Sequence, residues 1–307
     1  MAPTPVFILS VPRAGSTLIQ RILGSHESIA TASEPWFLIP PLYALRETGI
    51  RAEYDHVTLT KGVSSFAAHY LTGGLAGYRR AVRELALSLY SQAAPGAAFF
   101  VDKSPRYSHV AAELLEVFPE AKFVLLWRNP LAVAASMIET FGGGRWNIKG
   151  PFAADLYRGL PVLAATYASN RERIHALRYE DLVDQPAREL EQALRYVGVP
   201  DDPTLIARFS ELPMPNPEFW DPTGTRAYTG ISREPLSKWR STMATPVRKR
   251  WCIRYLDALG PERLATMGYE YESLRGEVDA LPSRYRHTLS DLVEHAKAPA
   301  RNRLGLH

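Results

Sequence analysis

Short runs of nearly continuous apolar residues alternate along this chain with longer amphipathic stretches. The runs are too short for helices and rich in branched and aromatic side chains, so they predict buried strands. They cover Val6–Val11, Ile29–Ala32, Phe99–Val101, Phe123–Trp127 and His175–Tyr179. The amphipathic stretches predict helices at Leu18–Leu23, Tyr78–Gln92, Ser108–Val117, Pro130–Glu139, Leu156–Arg173 and Ala187–Val197. This alternation indicates an α/β fold, with a mainly parallel sheet flanked by helices.

Two segments show neither the apolar runs of a strand nor the amphipathic spacing of a helix. Phe141–Arg145 is glycine-rich, and Leu212–Ala227 carries several prolines together with Phe219 and Trp220. Irregular segments of this kind inside a compact domain are often lids or binding loops. A last amphipathic stretch, Tyr285–Ala296, predicts a terminal helix within a tail that begins near residue 276.

The composition is that of an ordinary globular protein. The 307 residues are 46% hydrophobic and 22% charged, and we expect one domain over residues 1–307. The net charge of +4 suits a small polyanionic ligand, and we expect no nucleic-acid partner. Cys252 is the only cysteine, which excludes an intramolecular disulfide and a Cys-based zinc site. With neither a leader pattern nor an apolar run of bilayer length, we expect a cytoplasmic protein without membrane contact.

The first apolar run leads into a short loop and then a helix. The loop, Pro12–Thr17, contains Arg13 and Gly15 and ends on two hydroxyl residues. Unpaired N–H groups and the helix dipole favour an anion at such a helix start, and an arginine adds a fixed positive charge. The pattern GxxxxGK[ST] is absent, so the loop is not one that cradles the β- and γ-phosphates of ATP.

A second anion clamp follows the fourth apolar run. Arg128 comes directly after the strand, Pro130 suits a helix first turn, and Ser136 lies two turns into that helix. An arginine with a hydroxyl group binds phosphate well, although a salt bridge to a neighbouring acid is the plainer role for Arg128. Together the two loops predict a ligand with two separated anionic groups.

These segments resemble motifs of the sulfotransferases that use 3′-phosphoadenosine 5′-phosphosulfate, PAPS. Ser10–Leu18 is similar to the 5′-phosphosulfate loop of that family, with arginine where lysine is commoner. Phe123–Ser136 is similar to its 3′-phosphate motif. Leu177–Val183 resembles a Tyr-Glu-Asp-Leu segment whose tyrosine lies near the nucleotide, and Gly230–Arg240 resembles a late loop that closes over the 3′-phosphate.

The resemblance, over roughly residues 5–245, implies a P-loop-like sulfotransferase fold, PAPS as co-substrate and PAP as product. The implied PAPS-binding residues are Arg13, Ala14, Gly15, Ser16, Thr17, Arg128, Ser136, Tyr179, Ser237 and Lys238. A sulfuryl group carries less charge than a phosphoryl group, so we expect cations and N–H groups to stabilise it without a metal.

The acceptor alcohol needs a base, and Glu34 is the best candidate. It ends a short strand and resembles the base glutamate of tyrosylprotein and bacterial members, although it would also suit the start of a helix. Lys103 resembles a lysine that lies beside the sulfuryl group, where it would act with Arg13. Asp102 is the alternative base, while His26 is best explained as a helix-terminal residue.

The acceptor itself stays open as a small-molecule, glycan or peptide hydroxyl, and a homodimer is compatible with the sequence. We expect residues 36–97 and the loops at 140–155 and 210–228 to shape acceptor choice, with the loop aromatics Trp146, Phe219 and Trp220 lining the pocket. Two rival functions are a P-loop kinase-like phosphotransferase and a non-catalytic module that binds a nucleotide or a polyanion. The phosphotransferase predicts a lysine followed by Ser or Thr at the end of the loop and a strand-terminal Asp for Mg²⁺, and neither is evident. The binding module predicts that Glu34 is not required.

Overall fold

A computed structural model gives the fold of the chain, and it describes residues 1–48, 52, 54–212, 230–285, 287–288 and 290–292. The strands of these residues form one five-stranded sheet. They are β1 (Thr4–Leu9), β2 (Ile29–Thr31), β3 (Phe99–Asp102), β4 (Lys122–Trp127) and β5 (Ile174–Arg178). The order across the sheet is β2-β3-β1-β4-β5, and every neighbouring pair is parallel. The predicted α/β fold with a parallel sheet is confirmed.

Helices connect the strands and follow the last of them. They are α1 (Ser16–Gly24), α2 (Ile39–Tyr43), α3 (His56–Tyr70), α4 (Gly74–Ala93), α5 (Ala111–Val117), α6 (Pro130–Gly142), α7 (Pro151–Ala154), α8 (Leu160–Ser169), α9 (Tyr179–Asp184), α10 (Pro186–Val197), α11 (Leu205–Arg208), α12 (Glu234–Thr242), α13 (Pro246–Leu259), α14 (Pro261–Thr266) and α15 (Tyr271–Asp279). A 3₁₀ helix covers Pro105–His109, and a π-helical turn covers Asp155–Gly159.

Several predicted elements have different bounds. The helix predicted at Ser108–Val117 is divided between the 3₁₀ helix and α5, and the terminal helix predicted at Tyr285–Ala296 lies partly outside the described residues. Two further differences have a local cause. The first strand lies two residues earlier than predicted, because Val11 belongs to the turn and its carbonyl accepts a hydrogen bond from the Ala14 N–H at 3.3 Å. The helix predicted at Leu156–Arg173 starts as the π-helical turn and ends at Ser169, after which Asn170 donates from its side chain to the Thr166 carbonyl at 2.9 Å. Both differences arise from local hydrogen bonds that compete with the regular period.

The sheet is buried on both faces. Phe7 and Leu9 of β1 point into one apolar cluster, which includes the buried, free Cys252, while Val6 and Ile8 point into the other. Successive strand residues point to opposite faces, so this burial explains why the central strands β1 and β4 are almost continuously apolar. Among the described helices, none combines the length and apolar character that crossing a bilayer requires.

Candidate active site

The residues that follow the five strands lie at one edge of the sheet, because parallel strands end on the same side. Across that edge the order is Glu34 after β2, Lys103 after β3, the Pro12–Thr17 loop after β1, Arg128 after β4 and Tyr179 after β5. The strand order therefore places the candidate base at one end of this edge, with the loop after β1 between it and the Arg128 clamp.

The loop after β1 has a backbone that few residues adopt. Arg13 has φ 69° and Gly15 has φ 98°, and α1 begins directly afterwards, with no cap from the described side chains. A Cβ on Gly15 would lie 2.5 Å from Cδ2 of Tyr179, so only glycine fits beneath that ring. The loop thus leaves the first N–H groups of α1 available to an anion at the position where the sequence predicts one.

Arg13 and Arg128 share one site. The Arg13 Nε donates to the Ser136 Oγ at 3.2 Å, and the Arg128 Nη1 donates to the Arg13 carbonyl at 2.8 Å. The Arg128 guanidinium carbon lies 4.4 Å from the centre of the Tyr179 ring, and its Nη2 donates to the Pro235 carbonyl at 3.2 Å. The structure thus brings both predicted anion clamps together.

A cavity of about 270 Å³ opens between these arginines and α12. Its lining residues are Arg13, Arg128, Ala132, Ala135, Ser136, Glu139, Thr140, Tyr179, Glu234, Pro235, Lys238, Trp239 and Thr242. Lys238 lines this cavity, whereas Ser237 lies on an exposed part of α12 and is not among the residues that line it.

Glu34 and Lys103 form a buried ion pair beside the loop. Lys103 Nζ pairs with Oε1 of Glu34 and lies 3.5 Å from the Thr17 Oγ1. The other oxygen of Glu34 accepts a hydrogen bond from the Trp36 Nε1 at 3.1 Å. Glu34 therefore reaches the loop through Lys103 and is not engaged as a helix cap, since α2 begins only at Ile39.

Asp102 is fully buried, and its Oδ2 accepts hydrogen bonds from the hydroxyls of Tyr90 at 2.5 Å and Tyr107 at 2.9 Å. Burial raises the pKa of Asp102 to about 6, although both hydrogen bonds lower it. Because the carboxyl group is shut away from solvent and holds two tyrosines, the geometry favours Glu34 over Asp102 as the base.

The segment after β5 supports the site through two acidic residues of the Tyr-Glu-Asp-Leu segment, to which the sequence analysis assigned no role. Glu180 accepts from the Asn129 N–H at 3.0 Å and from the Tyr269 hydroxyl at 2.7 Å. Asp181 pairs with Arg178 at 2.8 Å. These contacts fix the start of α6 and the position of Tyr179. The sequence signal available for these roles was the two acidic residues that directly follow a strand-terminal tyrosine.

Of the remaining candidates, the structure describes His26 and Trp146. The His26 ring lies 3.2 Å from the Pro200 carbonyl and accepts from the Ser28 N–H at 3.1 Å, in agreement with the helix-terminal role expected for it. Trp146, predicted to line the acceptor pocket, lies in the core cluster. It is 7% exposed and packs edge-on against Trp251 in the core, because the glycine-rich turn after α6 folds it inward. Phe219 and Trp220 lie outside the described residues.

No group of three or more His, Cys, Asp and Glu side chains suited to a metal ion occurs in the parts of the chain that the structure describes. The expectation of a metal-free reaction stays a prediction.

The sequence profile of the Sulfotransferase family matches residues 5–203. The chain therefore belongs to the sulfotransferase family. Sulfuryl transfer is the reaction that this membership and the relatives support, and neither the phosphotransferase nor the non-catalytic alternative is favoured.

Curated relatives agree with the family. The chain is 27% identical over 305 residues to the nodulation protein NoeE of Sinorhizobium fredii, a match that covers 91% of this chain and 70% of NoeE. It is 22% identical over 278 residues to the protein-tyrosine sulfotransferase of Drosophila melanogaster, covering 86% of this chain and about half, 51%, of that protein.

A solved structure shows the same fold. The sulfotransferase domain from the curacin biosynthetic pathway superposes with a TM-score of 0.54 at 22% identity, over 87% of this chain and 98% of that domain. The P-loop-like sulfotransferase fold that the motifs imply is confirmed.

Proposed function

We propose that this protein transfers a sulfuryl group from PAPS to an acceptor hydroxyl, giving a sulfate ester and PAP. The observation that carries the proposal is the placement of Arg13 and Arg128 on one cavity, next to a helix start and a buried Glu34–Lys103 pair. PAPS has a phosphosulfate and a 3′-phosphate, and the site offers one cationic cradle for each.

In this proposal the phosphosulfate lies on Arg13–Thr17, where the N–H groups of α1 point toward it. The 3′-phosphate lies against Arg128, Ser136 and Lys238, which line the cavity, with Ser237 near it on α12. Tyr179 packs between Gly15 and Arg128 and so sets the spacing of the two cradles.

The chemistry is one in-line displacement at sulfur. An acceptor oxygen forms a bond to sulfur while the bond from sulfur to the bridging oxygen of PAPS breaks, and the electron pair leaves with PAP. Glu34 takes the acceptor proton, as a general base within reach of the reacting group. Lys103 and Arg13 stabilise the negative charge that develops on the sulfuryl and bridging oxygens.

The proposed acceptor class is a glycan, peptide or small-molecule hydroxyl. The Drosophila relative is a protein-tyrosine sulfotransferase, which supports the peptide hydroxyl within this class. The single domain over residues 1–307, the acceptor-shaping region at 36–97, the homodimer and the cytoplasmic location stay predictions.

The first experiment measures PAP binding by calorimetry, and transfer from radiolabelled PAPS to a panel of acceptors. The panel holds a tyrosine peptide, an N-acetylglucosamine oligosaccharide and a long-chain alcohol. Glu34→Gln should keep its affinity for PAP and lose about 10²–10⁴-fold in kcat, because the general base is gone. Glu262→Gln, an exposed glutamate on α14, is the control and should behave as wild type.

Two outcomes contradict the proposal at different points. A wild-type protein that does not bind PAP overturns the donor assignment. A Glu34→Gln variant that keeps full kcat overturns the base assignment while leaving the donor site intact.

A further inference from the structure

Both oxygens of the Glu34 carboxylate are engaged, each by a different kind of donor. Oε1 pairs with the ammonium of Lys103, and Oε2 accepts from the Trp36 indole N–H at 3.1 Å. Glu34 is 7% exposed and Lys103 is 2% exposed, so little water competes for either contact. The indole therefore holds the carboxylate by a neutral hydrogen bond. The negative charge of bound PAPS can attract the Lys103 ammonium, but it does not attract the uncharged indole away from Glu34.

Trp36 is held in an uncommon backbone conformation. Its φ is 59°, in the left-handed region that a bulky residue rarely adopts. Its backbone N–H donates to the Oγ of Ser104 at 3.1 Å, and Ser104 is fully buried. Strain of this kind persists only where surrounding contacts enforce it, and it concentrates at functional sites.

Arg106 holds the face of the Trp36 ring. Its guanidinium carbon lies 5.7 Å from the ring centre, within the range of a cation–π contact. The same guanidinium donates from Nε and Nη2 to the two oxygens of Asp155, at 3.1 and 3.3 Å. A two-point contact of this kind fixes the plane of the guanidinium as well as its position.

Asp155 is a rigid anchor for Arg106. It is fully buried, and the His109 ring nitrogen Nε2 lies 3.1 Å from its Oδ1. It opens the π-helical turn, whose Gly159 packs so closely that a Cβ there would lie 3.0 Å from the Ser108 Oγ. The turn and the 3₁₀ helix after β3 therefore form one packed unit, and π-helical turns are frequent at functional sites.

We propose that Trp36 and Arg106 are positioning residues for Glu34, and that the π-helical turn exists to anchor them through Asp155. The inference rests on the proposed function, in which Glu34 is the base. When Lys103 turns to the sulfuryl group, Oε1 of Glu34 is released to take the acceptor proton, while Oε2 stays on the indole. The carboxylate then keeps its orientation at the moment when its ion pair is lost.

Trp36→Phe tests the indole hydrogen bond, because it keeps an aromatic ring under Arg106 and removes only the N–H donor and part of the ring. We expect kcat to fall on the order of 10–100-fold for the panel acceptor that the wild type sulfates fastest, since small misplacements of a reacting group cost about this much. The KM for the acceptor and the Kd for PAP should change less than about twofold. Phe209→Leu, which removes a buried aromatic ring from the apolar cluster on the other face of the sheet, should lower stability and leave kcat unchanged.

Arg106 supplies a second, independent arm, which decides the matter if Trp36→Phe fails to fold. Arg106→Gln should lower kcat and leave the acceptor KM unchanged, and Arg106→Lys should restore part of the loss because it keeps the cation over the ring. Arg173→Gln is the control, because Arg173 also lies over an aromatic ring and donates to carbonyls outside the site. An Arg106→Gln variant with normal kcat and a raised acceptor KM would show a binding role and overturn the inference.

The two proposals fail in different ways. In a Glu34→Gln background, Trp36→Phe should cause no further loss, because the residue acts only through Glu34. If Glu34→Gln is inactive and Trp36→Phe keeps full kcat, the positioning role is wrong and the base stands. If no panel acceptor is sulfated, the indole N–H resonance of Trp36 still decides: Glu34→Gln should shift it, Glu262→Gln should not, and an unmoved resonance overturns the inference.

Discussion

At the residue scale, the site depends on positions where one side chain, or its absence, sets the geometry. Gly15 combines a φ of 98° with a ring edge against its α-carbon, so two separate physical reasons require glycine. Gly198 has nearly the same φ, 97°, but a Cβ placed there would meet no atom of the described residues within 4 Å. A comparison of the two glycines therefore separates the effect of the left-handed backbone from the effect of the clash with the Tyr179 ring.

We therefore expect Gly15→Ala and Gly198→Ala each to lose roughly 1 kcal/mol of stability from the left-handed backbone. Only Gly15→Ala should also lose PAP affinity, by about tenfold or more, because the new methyl group displaces Tyr179 and with it Arg128. Urea unfolding and calorimetric titration with PAP measure the two effects. Wild-type PAP affinity in Gly15→Ala would contradict the placement of the phosphosulfate in this loop.

At the element scale, Asp102 joins three parts of the fold. It ends β3, and its Oδ2 receives the hydroxyl of Tyr90 from α4 and that of Tyr107 from the 3₁₀ helix. This junction lies next to Lys103, so it fixes the strand end from which the lysine projects. In the sequence alone, Asp102 stands out only as a second candidate base.

The raised pKa of Asp102 predicts a pH dependence of stability. In the unfolded chain the Asp102 carboxyl has its ordinary pKa of 3.8 and ionises as the pH rises past that value. In the folded protein, burial raises the pKa to about 6 and keeps the carboxyl protonated up to that pH. Between these values the folded state binds more protons than the unfolded state, so stability falls as the pH rises. The gap corresponds to about 3 kcal/mol.

Asp102→Asn keeps an oxygen acceptor for both tyrosines and cannot ionise. The stability of the wild type relative to this variant should thus decline from about pH 4 to about pH 6 and stay level above it, as measured by urea unfolding at each pH. Parallel stability curves for the two proteins in that window would show that Asp102 is ionised in the folded state.

At the scale of the whole molecule, the strand order decides how the site is assembled, and the C-terminal segment closes the fold around it. Arg248 of α13 donates to Asp291 at 2.7 and 3.0 Å and to the carbonyls of Thr242 and Gly144 at 2.9 and 2.8 Å. The pair is buried, with Arg248 2% exposed and Asp291 0% exposed. One guanidinium thus ties the C-terminal segment to α12 and to the turn after α6.

Asp291→Ala leaves a buried guanidinium without its counter-ion, so we expect a loss of about 3–5 kcal/mol in the free energy of unfolding. The control is Glu191→Ala, which breaks the exposed pair with Arg195 and should cost less than about 1 kcal/mol. Urea unfolding compares the two. Equal, small losses would mean that the C-terminal segment contributes little to the stability of the fold.

The sequence identified the candidate site residues better than the residues that position them. The candidate site residues lie at or just beyond the end of an apolar strand, or on the helix that follows it. They are Arg13, Arg128, Ser136, Glu34 and Lys103. Arg106 follows the same strand as Lys103 and could have been found by that rule. Asp155 could not, since it lies 49 residues further along, directly before the helix predicted at Leu156–Arg173, and the pattern of that helix gave no sign of a π-helical turn.

The sequence by itself determined the α/β class, the parallel strands, the positions of the two loops predicted to bind anions, and the family. Apolar spacing, turn residues and motifs determine these features because they act over a few neighbouring positions. Only the tertiary structure decided that β3 lies between β2 and β1, which brings Lys103 to Glu34 and to Thr17. It also decided that Trp146 belongs to the core and that Asp102 serves as a junction. Burial and long-range hydrogen bonds settle such roles, and they depend on contacts between residues that are far apart in the chain.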